Sequence, residues 1–200
     1  VALVLSGGGA KGAAHIGVLY ALQQQGIPID MVVGTSMGAN IGALYAMGYT
    51  VEQLDTLMRH SDWDFLMSDR APRTSLSPEQ RARAERYVLD FSLTKPGKPE
   101  LGGWVKGRNL GNELAKLTVG YHDSISFDTL PVRFACVATN LVNGTEVDFH
   151  SGVLAKVVRA SMAVPGILAP VQLHGRSLAD GGLVNNYPVD VAKRMGADIV

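Results

Sequence analysis

Within its first 48 residues the chain repeats one pattern twice: a short apolar run, a glycine-bearing turn and a helix-length segment. Val1-Ala2-Leu3-Val4-Leu5 is a continuous apolar run stopped by Ser6 and three glycines, as expected of a buried strand entering a tight turn. Ile16, Leu19 and Leu22 then recur at helical spacing as far as Gln25, where Gly26 and Pro28 supply the stop. Met31-Val32-Val33 predicts a second strand, Gly34 to Gly38 a turn, and Ala39 to Met47 a helix ended by Gly48. Two such units in succession predict an α/β fold of three layers, α/β/α, with a mainly parallel central sheet covered by helices.

The stretch from about Thr50 to Ser126 reads as a helical insertion over that sheet. Helical patterns at Val51 to Arg59, Pro78 to Leu89 and Leu110 to Val119 are separated by glycine- and proline-rich connectors, notably Thr94 to Pro99 and Leu101 to Trp104. Strands are expected again at Val132 to Ala138 and Glu146 to Phe149, a helix at Val153 to Ser161, strand-like pieces on both sides of Asp180-Gly181-Gly182, and a helix at Val189 to Met195. At 200 residues and 46% apolar composition the chain is expected to form one domain. Its opening inside an apolar run and its stop at Ala197-Asp198-Ile199-Val200, which reads as half of another strand, lead us to expect that both ends are cut from something longer.

Lysine plus arginine equal aspartate plus glutamate at 18 each, which removes the electrostatic drive for non-specific nucleic-acid binding. No run reaches the roughly 18 apolar residues needed to span a bilayer, so a soluble piece is expected. The lone cysteine, Cys136, sits in the apolar run Val132 to Val137 and is expected in the core.

Gly34-Thr35-Ser36-Met37-Gly38 fits G-x-S-x-G between a strand and a helix, where a sharp turn lifts the serine clear of the sheet and the glycines allow close approach. Gly7-Gly8-Gly9-Ala10-Lys11-Gly12 follows the first strand and opens the first helix, so its amides face whatever sits at that helix N-terminus. The string also satisfies G-x-G-x-x-G, with Asp30 as the acidic partner of a nucleotide site, but that reading leaves Ser36 on the next turn without a purpose. An oxyanion hole from the amides of Gly7, Gly8 and Gly9, principally the last two, uses both motifs; a merely tight turn is the structural alternative. A nucleophilic serine needs a base. His15, His60, His122, His150 and His174 all precede Asp180, against the hydrolase order in which histidine comes last. Leu178-Ala179-Asp180-Gly181-Gly182 puts a carboxylate at a strand end, and spacing alone leaves it open whether Asp180 is a base or an ordinary turn aspartate.

These residues, taken in order, resemble the patatin-like phospholipases. Gly7 to Gly12 is similar to that family's oxyanion loop, Gly34 to Gly38 to its serine elbow, and Asp180-Gly181-Gly182 to its aspartate motif. Arg159 to Pro165 and Asn185-Asn186-Tyr187-Pro188 resemble further family segments near the site. The resemblance implies a Ser36–Asp180 dyad and an acyl-enzyme mechanism with no metal or cofactor. It also implies phospholipid or other lipid esters as substrates and a membrane surface as partner, with homo-oligomer formation left open. Lys11 matches the basic residue of the family's loop, holding the loop or attracting a lipid phosphate, unless it is simply solvated. Tyr45 to Tyr49, Asp62-Trp63-Asp64 and Arg70 to Arg73 resemble bacterial, exported members that precede an outer-membrane barrel, which makes the outer membrane or the cell exterior the expected location. Met58, Trp63, Phe65, Leu66 and Met67 are candidates for an apolar lip facing lipid, or plain core. Two rivals remain: a histidine-dependent serine esterase or thioesterase, and a non-catalytic lipid-binding module.

Overall fold

The computed structural model describes residues 1–79 and 105–200. The helix expected at Pro78 to Leu89 falls almost wholly, and both glycine- and proline-rich connectors wholly, outside the described residues. The two opening units form as β1 (Ala2–Leu5), α1 (Ala14–Gln24), β2 (Met31–Thr35) and α2 (Met37–Ala46), with a 3-10 turn at Gly9–Ala13. Helices α3 (Val51–His60), α4 (Trp63–Leu66) and α5 (Arg108–Leu117) follow. The remainder comprises β3 (Ile125–Ser126), β4 (Arg133–Asn140), β5 (Thr145–Phe149), β6 (Ser151–Gly152), α6 (Leu154–Ser161), β7 (Val171–Leu173), β8 (Arg176–Asp180) and α7 (Val189–Arg194). β2 runs two residues further than its apolar run suggests, so the turn after it shrinks to Ser36 alone. Asp180 is preceded by a strand but followed by a 3-10 turn at Gly181–Leu183 rather than a second strand.

β1, β2 and β4 pair in parallel, as the two strand–turn–helix units require. β5 and β8 pair antiparallel with β4, and β7 antiparallel with β8, so the sheet is mixed and its parallel part is the one that carries both glycine motifs. Short connections dictate two of the three antiparallel pairings: β4 to β5 turns through residues 141–144 and β7 to β8 through His174-Gly175, too few for a crossover.

Strand alternation divides the core into two layers. Leu5, Val32, Phe134, Cys136 and Ala138 face α1, α2, α3, α5 and α6, while Ala2, Val4, Met31, Val33, Ala135 and Val137 face Val191 and Ala192 of α7. Cys136 is fully buried, and burial pushes its thiol pKa up. Among the described residues no helix is long and apolar enough to cross a membrane.

Candidate active site

The register of β4 brings the two key residues together. Val137 stands opposite Thr35 of β2 and Asp148 of β5, and the next residue, Ala138, stands opposite Asp180 of β8 and Val147 of β5. β5 occupies one edge of β4 at both rungs, so β2 and β8 must share the other, running toward each other and ending on neighbouring rungs. Ser36 follows Thr35 and Asp180 ends β8, so two residues 144 apart in the chain are delivered to one gap.

Ser36 is held at φ 55 and ψ −121; besides His174 it is the only non-glycine residue with positive φ among those described. A non-glycine residue there costs on the order of 1–3 kcal/mol and persists only where its surroundings hold it. The elbow glycines explain how the turn stays so tight. A Cβ on Gly34 would stand 2.4 Å from the Gly38 carbonyl oxygen, and one on Gly38 would stand 2.2 Å from the Leu5 carbonyl oxygen. The backbone N–H of Ser36 donates to Ser161 Oγ at 2.9 Å, and the Ser161 hydroxyl donates to the Val137 carbonyl at 2.6 Å.

Asp180 is equally enclosed, at 6% exposure against 7% for Ser36. Its N–H donates to the Ala163 carbonyl at 2.9 Å, and its own carbonyl accepts from the Thr139 hydroxyl at 2.8 Å. Oδ1 accepts the Gly182 N–H at 2.7 Å, whereas Oδ2 is buried without a hydrogen-bond partner among the described residues. Burial raises the carboxyl pKa above its ordinary value, opposed in part by the nearby Ser36 hydroxyl and by the Gly182 N–H. The Ser36 hydroxyl thus lies close enough to act on the Asp180 carboxyl. Gly181 is required at the junction, since a Cβ there would meet the Val137 carbonyl oxygen at 2.3 Å.

The glycine loop closes the third side. A cavity of about 270 Å³ is lined by Gly7, Gly8, Gly9, Ser36, Asp180 and Gly182, together with Val164, Pro165, Leu183 and Asn186. The Gly7 N–H donates to the Asn186 carbonyl at 3.2 Å, and a Cβ on Gly7 would stand 2.5 Å from Asn186 Oδ1. Of the three amides expected as oxyanion donors, that of Gly7 is therefore already engaged. Those of Gly8 and Gly9 make no hydrogen bond among the described residues. The Gly8 carbonyl accepts the Lys11 N–H at 3.1 Å, so Lys11 holds the loop through its backbone while its side chain is exposed and outside the cavity lining. Gly12 is buried because Met37 lies where its Cβ would be, packing the loop onto α2.

None of the five histidines lines the cavity. His15 pairs through Nε2 with the Ser6 carbonyl at 2.8 Å, just ahead of the loop, and the other four are exposed. None of Met58, Trp63, Phe65, Leu66 and Met67 lines this cavity: Leu66 is buried, and Met58, Trp63 and Met67 pack against the core. The segment from α4 onward is tied to α5 by Asn109, whose side-chain amide lies within hydrogen-bond distance of the carbonyls of Phe65, Ser68 and Arg70. Sequence reasoning gave no role to Ser161, Asn185 or Asn186, although all three lie in stretches singled out there. Asn185 accepts the Thr35 hydroxyl on its carbonyl at 2.9 Å and donates its amide to Glu146 and Asp190, locking the segment after Asp180 against β2.

The fold and the cavity together define a three-layer α/β protein of the patatin type. Residues 3–193 match the model described as patatin-like phospholipase, and the chain belongs to that family. It is 34% identical over 202 residues to lysophospholipase nte1 of Neurospora crassa, covering all of this chain and 12% of that protein. It is also 34% identical over 203 residues to an uncharacterised NTE family protein of Mycobacterium bovis, covering all of this chain and 47% of that protein. The chain therefore spans a minor part of these curated relatives. Among solved structures, VipD from Legionella pneumophila superposes with a TM-score of 0.59 at 20% identity, over 92% of this chain and 46% of that one. ExoU of Pseudomonas aeruginosa, solved in complex with SpcU, gives 0.51 at 22% identity, over 81% of this chain and 38% of that one. At these identities the likeness is one of fold.

Proposed function

We propose that the chain, as one domain, is a serine lipid acyl hydrolase of phospholipase A or lysophospholipase type working through Ser36 and Asp180. The observation that carries this reading is the unpartnered, buried Oδ2 of Asp180 beside a serine held at positive φ, in a cavity where two glycine amides are also unpartnered. Asp180 takes the proton of the Ser36 hydroxyl as Oγ attacks the ester carbonyl carbon. The oxygen that becomes negative accepts from the Gly8 and Gly9 amides, each such donor contributing about a hundredfold or more in rate. As the tetrahedral intermediate collapses, Asp180 returns its proton to the leaving alcohol. The same carboxylate then takes a proton from water as the water oxygen attacks the acyl carbon, and returns it to Ser36 Oγ as the acyl–oxygen bond breaks, which releases the fatty acid and restores both side chains. A raised carboxyl pKa strengthens an aspartate that must do the work usually given to imidazole.

The family and the uncharged segments beside the cavity support a reading of phospholipid substrates and a membrane surface as partner. Residues 162–169 and 181–188, which contribute Val164, Pro165, Gly182, Leu183 and Asn186 to its lining, carry no charged side chain, and these two segments expose Ile167, Leu183, Val184 and Tyr187. Such an uncharged rim suits a lipid–water interface. The finer reading, an exported bacterial form ahead of a barrel, rests on the sequence stretches quoted above alone, since the relatives compared are fungal and mycobacterial. Labelling with a fluorophosphonate followed by peptide mapping tests the proposal. Label on Ser36, lost in Asp180→Asn, is the expected result; label elsewhere, or an active Asp180→Asn protein, would overturn it.

A further inference from the structure

Ser161 lies at the C-terminal end of α6, fully buried at 0% exposure and 125 residues from Ser36 in sequence. A hydroxyl has one hydrogen to donate, and here it goes to the Val137 carbonyl at 2.6 Å, which turns a lone pair toward the Ser36 N–H at 2.9 Å. Val137 is the rung where β2 leaves β4, so the Ser161 hydroxyl continues the ladder at the point where the nucleophile's backbone swings out of the sheet. Two residues further on, the Ala163 carbonyl accepts the N–H of Asp180 at 2.9 Å. The exit of α6 thus grips the backbone of both dyad residues within three consecutive positions. Its own place is set by Arg159, whose guanidinium donates to the carbonyls of Lys106 and Ala169.

We infer that Ser161 is a positioning residue for the Ser36–Asp180 dyad: its hydroxyl holds Ser36 at positive φ and, with the Ala163 carbonyl, sets the distance between nucleophile and base. This rests on the dyad reading above. Removing the hydroxyl leaves a buried N–H and a buried carbonyl unpaired, and it frees Ser36 to relax toward an ordinary helix N-terminus. Because the brace touches no substrate, its loss acts on reaction geometry rather than on binding. Misplacing a reacting group by about 1 Å costs up to about 100-fold in rate.

The test compares Ser161→Ala, Ser161→Cys and Ser161→Thr with the unsubstituted chain on a soluble p-nitrophenyl ester. Active sites are titrated by fluorophosphonate so that kcat is expressed per labelled Ser36. We expect kcat per site to fall about 10- to 100-fold in Ser161→Ala with KM within about twofold. Ser161→Cys, which restores volume but only a weak donor and acceptor, should stay impaired, and Ser161→Thr should recover most of the rate. A purely structural serine would lower the number of labelled sites and the melting temperature while leaving kcat per site intact, and that result overturns the inference. Should Ser161→Ala fail to fold, Ser161→Cys decides by the same readout. Label absent from Ser36 in the unsubstituted chain removes the nucleophile assignment and the brace together, whereas label on Ser36 with undiminished kcat in the variants removes the brace alone.

Discussion

Thr35 and Asp180 occupy successive rungs on one edge of β4, opposite Val137 and Ala138, and approach that junction from opposite directions. Everything proposed for the chemistry depends on this meeting, because neither strand by itself carries both a nucleophile and a base.

Ser36→Ala and Asp180→Asn should each lower kcat by about 10³-fold or more, as single losses from a catalytic unit do. Neither change adds volume or a charge, so cooperative unfolding by heat should persist in both. Steady-state kinetics alongside calorimetry checks the pair; substantial turnover in either variant contradicts the roles assigned.

The raised pKa of Asp180 fixes the sign of two pH effects. As a base it works only when ionised, so activity should fall as pH drops through a midpoint above the ordinary aspartate value. Stability runs the other way. A carboxyl whose folded pKa is raised contributes stability that is fully present below its unfolded pKa and is lost as pH rises through the folded one. Asp180→Asn, which has no charge to bury, should therefore melt above the unsubstituted chain at neutral pH, and the gap should close in acid. Paired melting curves across pH measure this, and a gap that widens in acid would contradict it.

Gly38→Ala should destabilise the protein by about 1–3 kcal/mol or more, since the added carbon would meet backbone atoms of Leu5 and Ser6 rather than a side chain that can turn aside. The midpoint of urea unfolding reads the loss; an unchanged midpoint would mean that α2 and β1 can separate freely.

Replacement of His60, His122, His150 and His174 by alanine should leave kcat/KM nearly unchanged, because all four are exposed and none lines the cavity. His15→Ala should cost less than about tenfold, the scale of one net hydrogen bond, through the lost contact with the Ser6 carbonyl. A folded but inactive variant in this set would point to an imidazole base.

Much of this was legible in one dimension. Apolar runs, helical spacing and glycine turns are local signals, and they placed β1, α1, α2, α3, β4, β5, α6 and α7 to within a few residues. What local signals missed has a common cause. The direction of β8, the engagement of the Gly7 amide by Asn186, the burial of Leu66 and the packing of Met58 against the core all depend on partners far along the chain.

Sequence by itself singled out the candidate residues and the kind of turn each sits in, because glycine spacing, a strand end and a helix start are properties of a few adjacent residues. Only the tertiary structure decided that Ser36 and Asp180 meet, that Ser161 grips the turn between them and that Gly8 and Gly9 supply the unengaged amides. Strand register and shared edges are settled by packing across the whole core, and no stretch of neighbouring residues encodes them alone.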